Sequence, residues 1–145
     1  MFKHVLIPTD GSPISEEAVT RGIAFAAALG ARATAMVVIE PFHLLTANVA
    51  QIESTRASYE AHAAKHAEDI LAAAAAKAAA AGVQLTTKTV LHDQPFDAII
   101  RTAQEEGCDV ITMASHGRRG MAALVLGSQT TKVLTHSKIP VLVLR

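Results

Sequence analysis

The chain has little of what it would need to read nucleic acid, cross a membrane or cross-link itself. Four phenylalanines, one tyrosine and no tryptophan are spread over 145 residues, too few for a platform on which bases could stack. Thirteen basic residues balance thirteen acidic ones, so no overall field draws the protein to nucleic acid or to an anionic membrane surface. The single cysteine, Cys108, allows no internal disulfide and suits a reducing cytoplasm. It stands at the head of an apolar run, where a thiol serves as a small core hydrophobe. The longest apolar stretch, Ile70–Val83, is mostly alanine, is broken by Lys77 and falls short of the ~20 residues a bilayer requires. The opening MFKHVLIPTDGS lacks the apolar region and small-residue cleavage site of a secretory signal. No Walker-type GK[ST], no Ser/His/Asp set and no paired carboxylates occur, so nothing points to efficient catalysis. The expectation is one cytoplasmic domain spanning 1–145.

What is present is a core. Half of the residues are hydrophobic and 18% are charged, which excludes a disordered chain. His4–Ile7 is an apolar run closed by Pro8 and the Asp10-Gly11 turn pair, as a buried strand would be. Ser12 then offers an N-cap, Pro13 a first helical position and Gly30 a stop, which predicts a helix between them. The uncharged, β-branched run Thr34–Ile39 predicts a strand buried on both faces. Beyond a loop at Phe42–Thr46, a long helix is expected over about Asn48–Ala81. Its apolar stripe is Ile52, Tyr59, Ala63, Ala67, Ile70, Ala74 and Ala78. Gln84–Leu91, with three threonines, has the composition of a less buried edge strand. A helix from Pro95 to about Glu106, a strand Asp109–Met113, a helix Ser128–Thr135 and a last strand Val141–Leu144 complete the chain. Alternating strands and helices, with the strands written as continuous apolar runs, imply a mostly parallel, doubly wound α/β sheet. Ligands of such sheets bind beyond the carboxyl ends of the strands.

Two of those ends carry unusual residues: Pro8–Ser12 after the first strand, and the stretch ASHGRRGMAALVLGS, Ala114–Ser128, after the fourth. Gly117, Gly120 and Gly127 free the backbone for φ > 0 or for close approach to a ligand. Gly127-Ser128 opens a helix whose first N–H groups suit an anion, and His116, Arg118 and Arg119 add donors and charge. If the two strands are neighbours, both loops face one crevice.

PTDGS at 8–12, MASHG at 113–117, GSQT at 127–130 and the closing IPVLVLR together resemble the universal stress protein family from the first strand to the last. The resemblance implies a Rossmann-like sheet of five parallel strands in the order 3-2-1-4-5, flanked by helices on both faces. It also implies ATP, with Mg2+ or Mn2+, as the ligand of a regulatory stress-response module with little or no hydrolysis. The family's ATP-binding branch carries G-x2-G-x9-G-[ST] after the fourth strand, and here those places hold Ala114, Gly117, Gly127 and Ser128. Carried over by position, Pro8, Thr9 and Asp10 line the adenosine end and Val38 packs on adenine. Met113 and Ala114 lie under the ribose and phosphates. The backbone N–H groups of Gly117, Gly127, Ser128 and Gln129 hold the phosphates, with the Ser128 hydroxyl, His116 and Arg118 beside them. A second branch binds no nucleotide and acts through its dimer, and alanine in the first motif position is the feature that favours it. The consequence of that alanine depends on backbone: it strains a left-handed residue and is nearly neutral in an extended one. In either branch the resemblance implies a homodimer built on Val141–Leu144, an apolar edge that needs cover.

Several residues keep two readings. Asp10 can meet a ligand or its metal ion, or bond its own turn. His116 can donate to a phosphate or to its own loop. Arg118 and Arg119 can cover phosphates or stand in solvent. His62 and His66, four apart, have zinc-ligand spacing, yet HAAKH lacks the glutamate of a zinc hydrolase and sits on a polar face expected to be solvated.

Overall fold

A strand buried on both faces is apolar wherever a polar group has no partner, and the five residues of β1, His4–Pro8, are all buried. A computed structural model describes residues 1–42, 49–117 and 125–145, with backbone alone at 49–52. β1 is followed by α1 (Pro13–Leu29), β2 (Arg32–Ile39), α2 (Val49–Ala80), β3 (Leu85–Leu91), α3 (Pro95–Glu105), β4 (Val110–Ala114), α4 (Ser128–His136) and β5 (Val141–Leu144). The five strands form one sheet in the order β3-β2-β1-β4-β5, with every pair parallel. The fold is the doubly wound α/β sheet expected, and the threonine-rich β3 is an edge strand as its composition implied.

The pleat sorts the core into two. Val5 and Ile7 of β1, with Ala33, Ala35 and Val37 of β2, pack against Val19, Ile23 and Ala26 of α1 and Ala67, Ile70 and Ala74 of α2. Leu6, Met36, Ile111 and Met113 face the other way, onto Ala98, Ile99 and Ala103 of α3 and Val133 of α4. Helices thus cover both faces.

α2 departs from its expected stripe. Ala67, Ile70, Ala74 and Ala78 are buried, but Tyr59 and the rest of 53–62 are exposed, Ala63 is half-buried, and the Ile52 side chain lies outside the described residues. Length explains this. Thirty-two helical residues span about 48 Å, whereas the eight residues of β2 span about 26 Å, so the N-terminal half of α2 runs past the sheet. There Tyr59 donates its hydroxyl to the Glu40 carbonyl at 2.9 Å and sets its ring 5.3 Å from that of Phe42.

At the amino ends of the strands, His4 is 4% exposed and its Nε2 lies 2.7 Å from Thr34 Oγ1. Burial, reinforced by Arg32, holds its pKa below the ordinary imidazole range. Beside it Cys108 is buried, and desolvation pushes its thiol up to about 11, so it is a core thiol with little thiolate to react. Among the described residues no helix is long and apolar enough to cross a membrane.

Candidate functional site

The strand order reverses between β1 and β4, which are parallel neighbours, and β2 flanks β1 on the other side. The loops leaving β1 and β4 therefore open onto one crevice at the carboxyl edge, as their sequences suggested.

The first wall is Thr9–Ser12. Its backbone is almost wholly self-satisfied. Thr9 donates its N–H to the Met36 carbonyl at 2.8 Å, which ties the loop to β2. Thr9 Oγ1 accepts from Gly11 N–H at 3.2 Å and from the Ser15 hydroxyl at 2.8 Å. Asp10 Oδ1 accepts from Ser12 N–H at 2.9 Å, so the turn reading of Asp10 is part of what it does. Ser12 caps α1 by accepting from Ser15 N–H at 3.3 Å. Gly11 takes φ +78°, and a Cβ there would stand 2.6 Å from Ile70 Cδ1, so glycine is needed on both counts.

The second wall runs from the end of β4 to the start of α4. Ala114 is the last residue of β4, paired with Leu144, and among the described residues no non-glycine has a positive φ. Its methyl thus sits on ordinary strand backbone. The two motif glycines, Gly117 and Gly127, do not have positive φ, so of the two roles expected for them the left-handed one is not used. They serve close packing within the protein. A Cβ on Gly117 would lie 2.5 Å from Asp10 Oδ2, and one on Gly127 would lie 2.9 Å from His116 Cα. Gly117 is therefore the point at which the two walls meet.

Two hydrogen bonds close the β4–α4 connection. Gly127 N–H donates to the Ser115 carbonyl at 2.7 Å, and Thr130 Oγ1 donates to the Ala114 carbonyl at 2.9 Å. The Gly127 N–H is consequently spent inside the protein and is not available to a phosphate, contrary to expectation. Ser128 and Gln129 differ. They are the first residues of α4, whose N-cap is Gly127 and whose first turn has no side-chain cap. Gln129 Oε1 accepts from Phe96 N–H at 3.0 Å, so the groups it can offer a ligand are its backbone N–H and its side-chain Nε2–H donors. His116 Nδ1 lies 3.1 Å from Ser115 Oγ. Met113 is 6% exposed and belongs to the core under α3 and α4, so it forms floor and donates nothing. Val38 is half-buried near Phe96 and Val90 at the end of β2. Arg118, Arg119 and Gly120 lie outside the described residues.

Comparison with known proteins identifies the family. The model of the universal stress protein family matches residues 1–145. The chain belongs to that family. A universal stress protein of Thermus aquaticus is 32% identical over 145 residues, covering 100% of both chains. Among solved structures, universal stress protein MJ0577 of Methanocaldococcus jannaschii has a TM-score of 0.85 at 26% identity, over 99% of this chain and 96% of its own. A universal stress protein solved in complex with cAMP has a TM-score of 0.69 at 28% identity, over 99% and 97%.

Within this universal stress protein domain, sequence reasoning overlooked residues that build the crevice without carrying a motif. Thr130 and Ser115 fasten α4 to β4, and the spacing of a GSQT signature gives no reason to single out its final threonine. His66, assigned to a solvated face, lines a cavity together with Gly11, Ser12, Pro13, Ile14, His116 and Gly117. Only the packing of α2 on α1 could reveal that.

Proposed function

We propose that this universal stress protein is a cytoplasmic, ATP-binding regulatory module that works as a homodimer. The observation that carries the reading is the start of α4: a first helical turn without a side-chain cap, at the switch point of the sheet, beside a glycine with no room for a side chain. In this reading Ser128 and Gln129 N–H, the Ser128 hydroxyl and Gly117 hold phosphates. Pro8, Thr9, Asp10 and the half-buried Val38 surround the adenosine, with Met113 and Ala114 as its floor. The relative solved with cAMP supports an adenine nucleotide as the ligand class. Ala114, the residue that favours a ligand-free member, brings no backbone strain, which supports the nucleotide reading over that alternative.

Among the described residues no three His, Cys, Asp or Glu side chains are grouped to hold a metal ion. In this reading an accompanying Mg2+ or Mn2+ takes its ligands from phosphates and water, with Asp10, whose Oδ2 lies against Gly117, able to orient them. In this reading hydrolysis is slight at most and the bound state itself carries the signal. The test is to heat purified protein, assay the supernatant for adenine nucleotide, and measure thermal shifts with millimolar ATP and magnesium. Released nucleotide or a clear upward shift is expected; neither overturns the reading.

β5 is an edge strand whose four residues are all apolar, with Leu142 37% exposed. Pairing with a second copy would cover that edge. Val143→Glu is expected to move the elution volume from dimer to monomer, and an unchanged volume would refute the dimer.

A further inference from the structure

The basic and acidic residues cancel overall, but they are not mixed along the chain. Residues 110–145 carry five of the thirteen Lys and Arg and no Asp or Glu, whereas 1–109 carry the other eight and all thirteen acids. Those last residues supply β4, α4 and β5, and the two strands lie together at one end of the sheet. The cationic part of the chain is thus the part that contributes the start of α4. Pairing follows the same division. Lys65, Lys77, Lys88 and Arg101 each meet a carboxylate. Among the described residues no carboxylate pairs with Lys132, Lys138 or Arg145.

Of these three, Lys132 is placed to serve the site. It stands four residues after Ser128 and three after Gln129 on α4, so it neighbours both on the helix surface. A helical side chain lies over the turn that precedes its own Cα, which here is the first turn, without a side-chain cap. The rise from Ser128 to Lys132 is about 6 Å, within the span of a four-carbon stem. Its Nζ lies 5.3 Å from the centroid of the Phe96 ring, and the Phe96 N–H donates to Gln129 Oε1 at 3.0 Å. The ammonium therefore rests on the ring that α3 sets against the first turn of α4. A contact between an exposed cation and a ring is weaker than a charge-assisted hydrogen bond to a phosphate, so a phosphate at Ser128 draws the ammonium off the ring. Lys138, by contrast, follows the last turn of α4, at the other end of the helix.

We propose that Lys132 is a phosphate-binding residue of the nucleotide site, leaving the Phe96 ring to meet a phosphate held at Ser128 and Gln129. The proposal rests on the nucleotide reading above and adds to it a residue outside the glycine motif. The backbone N–H groups orient the phosphate, and the ammonium supplies a full positive charge beside it.

The test is calorimetric titration of wild-type protein, Lys132→Met, Lys132→Arg and Lys138→Met with ATP and magnesium. Methionine keeps an unbranched cover on Phe96 and removes the charge. Loss of one charge-assisted hydrogen bond is expected to weaken ATP about tenfold in Lys132→Met, while Lys132→Arg and Lys138→Met stay within about threefold of wild type. An affinity of Lys132→Met within about twofold of wild type overturns the role of Lys132 and leaves nucleotide binding standing. A loss in Lys132→Arg or Lys138→Met equal to that in Lys132→Met also overturns it, since side-chain shape or net charge would then be the cause. Absence of ATP binding to wild type overturns the nucleotide reading and the role of Lys132 together. Lys132 and Lys138 are exposed, so the melting temperature is expected to stay unchanged in every variant.

Discussion

Two Gly-Ser dipeptides open helices in this chain, and the two helix starts are opposites. Before α1, Ser12 stands outside the helix as N-cap and its hydroxyl closes the first turn, while Thr9, Asp10 and Ser15 take up the neighbouring N–H groups. Before α4 the helix begins one residue earlier relative to the same dipeptide. Gly127 becomes the cap, with no side chain to offer, and Ser128 is the first helical residue. One start is capped by the protein's own side chains and the other has no side chain to cap it. Composition near a helix terminus thus says little about anion binding; which residue of the pair falls at the cap decides it.

The contrast can be broken at several points, in descending order of effect. Gly117→Val forces a branched side chain into the place where Gly117 meets Asp10, and ATP affinity is expected to fall at least about a hundredfold while the far-UV spectrum stays native, since the strain is confined to two loops. Binding within a few-fold of wild type would show that the walls need not meet there. Gly127→Ala sets a methyl against His116 backbone, which cannot move aside as a flexible side chain can. Chemical denaturation should register a loss of about 1–3 kcal/mol, together with weaker ATP binding.

The two serines give the sharpest pairwise test. Ser12→Ala should cost about 1 kcal/mol of stability through the lost cap. Ser128→Ala should leave stability within about 0.5 kcal/mol and weaken ATP several-fold, more than Ser12→Ala does. Equal behaviour of the two in both assays would refute the contrast. The smallest effect is a control far from both helices. His4 has a lowered folded pKa, so the folded state prefers its neutral form and the unfolded state takes up the proton first. Its contribution is intact above the ordinary value of 6.5 and is lost as pH falls below it. Melting temperatures between neutral pH and pH 5 should fall less steeply in His4→Gln than in wild type.

Most of the scaffold is legible in the residues. The five apolar runs became strands to within about two residues, Ser12 and Gly30 mark the ends of α1, and the GSQT stretch opens α4. The stripe of α2 was overextended because alanine recurs throughout the helix, so periodicity alone could not say where the sheet beneath it ends. The reason for the glycines was hidden for a different cause. Spacing shows that Gly117 and Gly127 are small, but only the tertiary arrangement shows that Asp10 and His116 press on them. The same holds for His66, which is separated from Gly11 by α1, β2 and more than half of α2 and meets it only after α2 has packed.

The hydrogen bonds from Gly127 and Thr130 to the last residues of β4 also make the site independent of the length of chain between its halves. With Ser115 and Gly127 stitched together, whatever length of chain joins them runs between ends that are set. Doubling the length of such a loop costs only about 0.6 kcal/mol. That junction is a natural seam for protein engineering. A peptide tag or a fluorescent reporter grafted between Gly117 and Val125 is expected to leave α4 in its place.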